Sequence, residues 1–238
     1  MDIFKPALVL SLLLVAILVY ADRAHDSDSG ATLDPIVIDL GESATLSSLM
    51  ESLADERVIY VGETHTALED HLLQLEVMRA MARQPGELAV GFEWIQARFQ
   101  PAVDRYLAGE TDEATFLRDT EYYDRWRFDY RLYRPIVQFA KDKGIPIIAL
   151  NASAELTSAI GRHGINELPV ALRDELPDSY DVSDKEYEAA LRKVYLAHNR
   201  GDDEAGFQRF TEVQLTWDES MAQRVAQYLD EHQAGRML

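Results

Sequence analysis

The sequence predicts an α/β fold: a mainly parallel sheet flanked by helices, with a C-terminal helical subdomain or lid. Three observations carry that prediction. Short apolar runs at residues 58–61, 88–92 and 145–150 have the length and the β-branched and aromatic content of strands buried on both faces. The stretches between them, notably 68–84 and 135–143, space their apolar residues as helices do, and strands alternating with helices build parallel βαβ units. Residues 184–200 and 202–231 then read as two long helices that cover the sheet, separated by Gly201.

The chain opens outside that pattern. Lys5 precedes a charge-free apolar run over residues 7–20, and Val19-Tyr20-Ala21 offers small residues where a signal peptidase prefers them. Residues 1–21 are therefore expected to be a signal peptide or an N-terminal anchor. The fourteen residues of the run fall short of the ~18–20 that span a bilayer, whereas counting from Ile3 leaves an uncleaved anchor over 3–21 open. Both place the protein in the periplasm or cell envelope, the second attached to the membrane through its N-terminus. Residues 22–35 are polar, acidic and small, a flexible tether that includes His25. Residues 36–238 suit one α/β domain.

Composition narrows the chemistry. The 23 Lys and Arg against 42 Asp and Glu give a net charge of −19, which argues against a nucleic-acid partner. The absence of cysteine excludes disulfides, thiolate metal sites, iron–sulfur clusters, a Cys nucleophile and lipidation of an N-terminal Cys.

Within the domain, residues 36–40 form a first short strand, and Ser43 caps a helix carrying Leu46, Leu49, Met50 and Leu53 on one face. Strand 58–61 follows, and Gly62 is expected to turn the chain sharply so that Glu63 and His65 sit together at the strand's carboxyl end. The next helix carries Leu68, Leu72, Leu75, Met78 and Met81 and stops at Pro85-Gly86. His71 lies in its first turns, near the strand-end loop, where a partly buried structural histidine is equally at home. After the strand ending at Glu93, residues 99–119 suggest two short helices, the second opening at Thr111. Pro135 suits the first turn of a helix that Gly144 ends, and strand 145–150 leads to Asn151 and a helix from Ser153. Residues 236–238 look like the opening of another buried strand, which suggests truncation.

Two features point to function. If the three strands are parallel neighbours, Glu63, His65, Glu93 and Asn151 meet at one edge of the sheet, where α/β proteins bind ligands. Residues 122–135 hold six aromatics interleaved with four arginines, the one basic, aromatic surface in an acidic chain, suited to a flat anionic ligand.

The pieces VIYVGETHTALEDH, AVGFEW with Gln100-Pro101, residues 126–135, IPIIALN and WDESMA resemble the ChaN-like haem-binding uptake proteins, relatives of Tiki and TraB proteins and of erythromycin esterases. The resemblance implies an exported protein of haem or iron uptake whose haem iron takes a tyrosinate, a known protein ligand for haem, with a histidine nearby, in a dimer enclosing two haems. Tyr133, in the matching Tyr-x-Pro piece, is the expected iron ligand, with His65, His71, Tyr130, Arg134 and Asn151 around the cofactor. Two departures stand out: no Cys is present for the lipid that family members often carry, and the family's further strand with its Gly-x-Gly-His type loop has no counterpart here. The alternative is a hydrolase of the erythromycin-esterase or Tiki type, in which Glu63, His65 and Glu93 activate water directly or through a divalent metal such as Zn or Mn.

Overall fold

A computed structural model of the chain describes residues 46–198, 203–233 and 235–238. The expected signal or anchor, the tether, strand 36–40, the Ser43 cap and Gly201 lie outside the described residues. Among the described residues, no helix is long and apolar enough to cross a membrane.

The fold is α/β, as expected. Three strands, β1 (Glu87–Gln96), β2 (Ile147–Asn151) and β3 (Gly235–Met237), form a parallel sheet in the order β2-β1-β3. The segment expected as the first strand is extended and bridges β3 once, at Val58↔Met237, with Ile59 N–H donating to Met237 O at 3.0 Å. The expectation of three neighbouring strands therefore needs correction. β1 and β2 are neighbours, whereas β3, from the far end of the chain, lies between β1 and residues 57–59.

Buried side chains on both faces explain why β1 and β2 read as continuous apolar runs. One face meets α1 (Leu46–Ser52), α2 (Leu68–Arg83) and α6 (Tyr130–Lys143), where Met50, Leu75, Met78, Met81, Ile136 and Val137 are buried with Val90 and Ile147. The other face meets the 28-residue α10 (Glu204–Glu231), whose Val225 and Leu229 pack on Ala89, Leu150 and Met237. Each such fully buried aliphatic side chain contributes about 1.5–3 kcal/mol. Gly91 lets Leu150 pack this closely, since a Cβ there would sit 2.6 Å from Leu150 Cδ1 and push that side chain away.

Polar side chains complete the ends of the layers. Gln100, at the start of α3 (Gln100–Leu107), accepts from Ala149 N–H at 2.7 Å and donates to Ile147 O at 2.8 Å, so a side chain satisfies the open edge of β2. Buried Arg236 on β3 donates to Met81 O and Pro85 O at 3.2 Å and to Gln84, which places its positive charge at the C-terminus of α2.

Helix α4 (Glu113–Asp119) is capped by Asp112 rather than Thr111, because the carboxylate accepts from Thr115 N–H at 2.8 Å. The short α5 (Tyr122–Arg125) follows. Helix α6 starts earlier than expected, at Tyr130, because Asp129 accepts from Arg131 N–H at 3.0 Å; Pro135 thus lies inside the helix. Gly144 ends it at φ 65°, as the sequence suggested. Beyond β2 come α7 (Ala154–His163), α8 (Val170–Arg173) and α9 (Lys185–His198), with α7 and α9 both packing on α10.

Candidate functional site

The site begins where the extended segment leaves the sheet. Gly62 does not make the expected turn: its φ is not positive and an added Cβ would meet nothing within 4 Å. No turn falls at residues 61–64, and the chain turns at His65-Thr66. Thr64 N–H donates to Asp70 in the first turn of α2 at 2.8 Å, which ties the loop to that helix.

Glu63 is the hub. Its Oε1 lies 2.8 Å from His65 Nδ1 and accepts from the Tyr133 hydroxyl at 2.7 Å, while Oε2 lies 2.8 Å from His71 Nε2. Three elements thus supply partners to one carboxylate whose side chain is 8% exposed. His71 is oriented in turn, with Nδ1 3.2 Å from Gln74 Oε1, and Gln74 Nε2 donates to Val61 O at 3.1 Å. Tyr133, buried in α6, accepts from Trp126 Nε1 at 2.9 Å. Its ring meets those of His71 and Trp94 at 4.5 and 5.6 Å.

The His65 ring stands against Trp126 and Phe128, with centroids 4.7 and 4.5 Å away. Its hydrogen bond to Glu63 raises its pKa above the ordinary imidazole value, against the opposing effect of burial and with a further contribution from Glu93. Burial, chiefly, raises the Glu93 carboxyl, and Glu63 adds to the rise while His65 opposes it; the Glu93 side chain still presents surface to solvent. The irregular register between Phe92 and Gln96, where β1 spends four residues against two on β2, bends the strand around Glu93. Glu63, His65 and Glu93 offer ligand atoms within 4.8 Å of one another. Asn151 Nδ2 donates to Glu93 O at 2.7 Å, which brings Asn151 to the same strand ends.

A cavity of about 190 Å³ opens between residues 58–63 and 90–94, bordered also by Tyr133, Asp218, Met221 and Leu238. Asp218 was not among the sequence candidates. Burial pushes its carboxyl up to about 6, and the Tyr187 hydroxyl donates to it. The WDESMA piece was its only signal, because a polar residue within a helix carries no spacing that marks it.

Two candidates lie outside the cluster. Tyr130 points into the core beside Tyr122 and Phe116, its hydroxyl unpaired among the described residues. Arg134 faces outward and donates to Glu113 from Nε at 2.8 Å.

Fold and site together define an α/β protein with a histidine–carboxylate–tyrosine cluster at the carboxyl end of its sheet, walled by aromatic rings. Residues 49–238 match the family model of haem-binding uptake proteins, Tiki superfamily, ChaN, and the chain belongs to that family. It is similar to a solved structure of cofacial haem binding to ChaN of Campylobacter jejuni, with a TM-score of 0.63 and 16% identity over 82% of this chain and 73% of that one. At that identity the likeness shows a shared fold. No curated protein matches the chain.

Proposed function

We propose that this is an exported haem-binding protein of the cell envelope that contributes to haem or iron uptake. Membership of the haem-binding uptake family across residues 49–238 carries the reading. The donor set suits haem: an imidazole reaches the surface between Trp126 and Phe128, rings suited to a flat macrocycle, and the neighbouring Arg127 is exposed with no carboxylate partner among the described residues. Bound haem would supply an iron centre, and the chain's part is to hold that iron and exclude competing ligands. The apolar run at 7–20 supports export, by a cleaved signal or an anchor at 3–21. The cofacial haem binding of ChaN of C. jejuni supports a homodimer that brings two haems face to face as part of this reading.

Titration of the purified protein with hemin tests the reading. The expected result is a saturable Soret shift at one haem per chain. A spectrum that stays that of free hemin at every ratio would overturn it.

A second reading rests on a different observation. Ligand atoms of Glu63, His65 and Glu93 within 4.8 Å suit a divalent metal such as Zn or Mn that activates water for hydrolysis. Calorimetric titration with Zn and Mn is expected to show one site that Glu93→Gln weakens, and no heat of binding from either metal sinks this reading.

A further inference from the structure

We propose that a cleft at the amino end of the sheet, the opposite end from Glu63, binds a small dicarboxylate. The cavity there measures about 760 Å³, within the range of small-molecule sites, and lies between Glu87-Leu88 at the start of β1 and the loop Gly144–Pro146 that leads into β2. Three helices reach it with their carboxyl ends: α2 through Arg79 and Arg83, α6 through Phe139 and Lys143, and α10 through Tyr228, with His232 one residue past its end.

Charge sets the sign of the ligand. Arg79, Arg83 and Lys143 border the cleft against one carboxylate, Glu87, in a chain whose net charge is −19. Arg79 is committed, to Glu76 and to the ring of Phe139 at 5.7 Å. Arg83 and Lys143 are exposed, and neither has a hydrogen-bond or ion-pair partner among the described residues. Other surface arginines are paired: Arg98 and Arg125 share Glu155, and Arg105 and Arg118 share Asp119.

The helix ends do not account for these two cations. Buried Arg236 already brings positive charge to the end of α2. Helix α6 is closed by Gly144 and Ile145, whose N–H groups donate to Lys141 O at 3.2 Å and Ala140 O at 2.9 Å. A guanidinium fork and an ammonium on separate helices match two carboxylates rather than one.

The walls set the chemical class. Leu88, Ile145 and Phe139 line the cleft, and the rings of Tyr228 and His232 stack there with centroids 4.1 Å apart. The carbon spacer of an organic dianion lies against such walls. Inorganic phosphate is instead cradled by backbone N–H groups at helix N-termini, and the helices that reach this cleft present their carboxyl ends.

Amide NMR titration of the full chain with succinate, glutarate and adipate at low ionic strength tests the proposal, and its outcome is independent of hemin binding. At least one of the three is expected to give saturable shifts at Gly86, Glu87 and Gly144. Acetate and inorganic phosphate are expected to bind at least about 10-fold more weakly. Arg83→Ala and Lys143→Ala should each weaken the dicarboxylate about 10-fold, and Glu87→Gln should strengthen it by removing the repelling charge. All three side chains are exposed, so the variants keep the fold, which unchanged amide spectra away from the cleft would verify. The proposal is overturned by an absence of shifts at the cleft at millimolar dicarboxylate, by acetate or phosphate binding as tightly, or by binding that neither cation variant weakens.

Discussion

Glu63 and Glu113 each gather cationic or polar partners, and the two sites differ in what surrounds them. The Glu63 side chain is 8% exposed and serves two histidines and a tyrosine from three elements. Glu113 is 30% exposed and serves one guanidinium, that of Arg134, which is itself 49% exposed. Water stabilises the separated Glu113 and Arg134 almost as well as they stabilise each other, so such a pair is worth about 0–1 kcal/mol. Glu63 has no such substitute. Removing the carboxylate that buried polar side chains share leaves each of them without a partner, at about 1–3 kcal/mol per group. The same chemistry organises a site in one place and decorates a surface in the other.

The largest effect is therefore expected for Glu63→Ala. His71, with a side chain 1% exposed, would face a cavity in place of its partner oxygen, and the Tyr133 hydroxyl would lose its acceptor. Chemical denaturation is expected to show a loss of about 2–6 kcal/mol for these two groups together, and Glu63→Gln a smaller one because the amide oxygen still accepts. A loss below about 1 kcal/mol for Glu63→Ala would place both carboxylates in the surface class and break the comparison.

The same contrast explains how much could be read from the sequence. The convergence of Glu63, His65 and Glu93 was legible because each follows an apolar run, and parallel strands deliver their carboxyl ends to one edge. The insertion of β3 was not legible as a neighbour of β1, since three residues have no periodicity and Arg236 finds its partners about 150 positions away, in Met81, Gln84 and Pro85. Nor was the division of residues 122–135. Its composition suggested one surface, but Asp129 starts α6 at Tyr130, and the helical repeat from there turns Tyr130 and Tyr133 inward and Arg134 outward. Asp218 escaped because its partner, Tyr187, lies on another helix.

A middle-sized effect is expected at Asp218, which is buried like Glu63 yet has a single hydrogen-bond partner among the described residues, the Tyr187 hydroxyl. Burial raises its carboxyl from 3.8 to about 6, so the folded state holds a proton that the unfolded state has released between those values. Stability from this group is fully present below about pH 4 and is lost as pH rises through about 6. His65, also raised, acts in the same direction at higher pH: its contribution is present below the ordinary imidazole value and is lost as pH climbs past its folded one. Asp218→Asn keeps an acceptor for Tyr187 and cannot ionise. Relative to the unaltered protein, the variant is expected to gain on the order of 1–3 kcal/mol between pH 4 and 7 in urea melts. A stability difference that does not change with pH would remove Asp218 from the buried class.

The smallest effect is expected where the comparison began, at Glu113 and Arg134. Arg134 Nε donates to both carboxylate oxygens, at 2.9 and 2.8 Å, and Gln138 adds a third contact to Glu113 at 3.2 Å. Geometry alone would rank this pair beside Glu63. Exposure reverses the ranking, because the desolvation that makes a lost partner expensive has not taken place at the surface. A double-mutant cycle of Glu113→Gln and Arg134→Ala, measured by denaturation, is expected to give a coupling energy below about 1 kcal/mol. Raising the salt to 1 M shortens the screening length to about 3 Å and should reduce that coupling further, while the cost of Glu63→Ala should hardly change. A coupling above about 2 kcal/mol that survives high salt would mean that geometry outweighs burial in this protein, and the distinction between its two carboxylates would have to be redrawn on hydrogen-bond count instead.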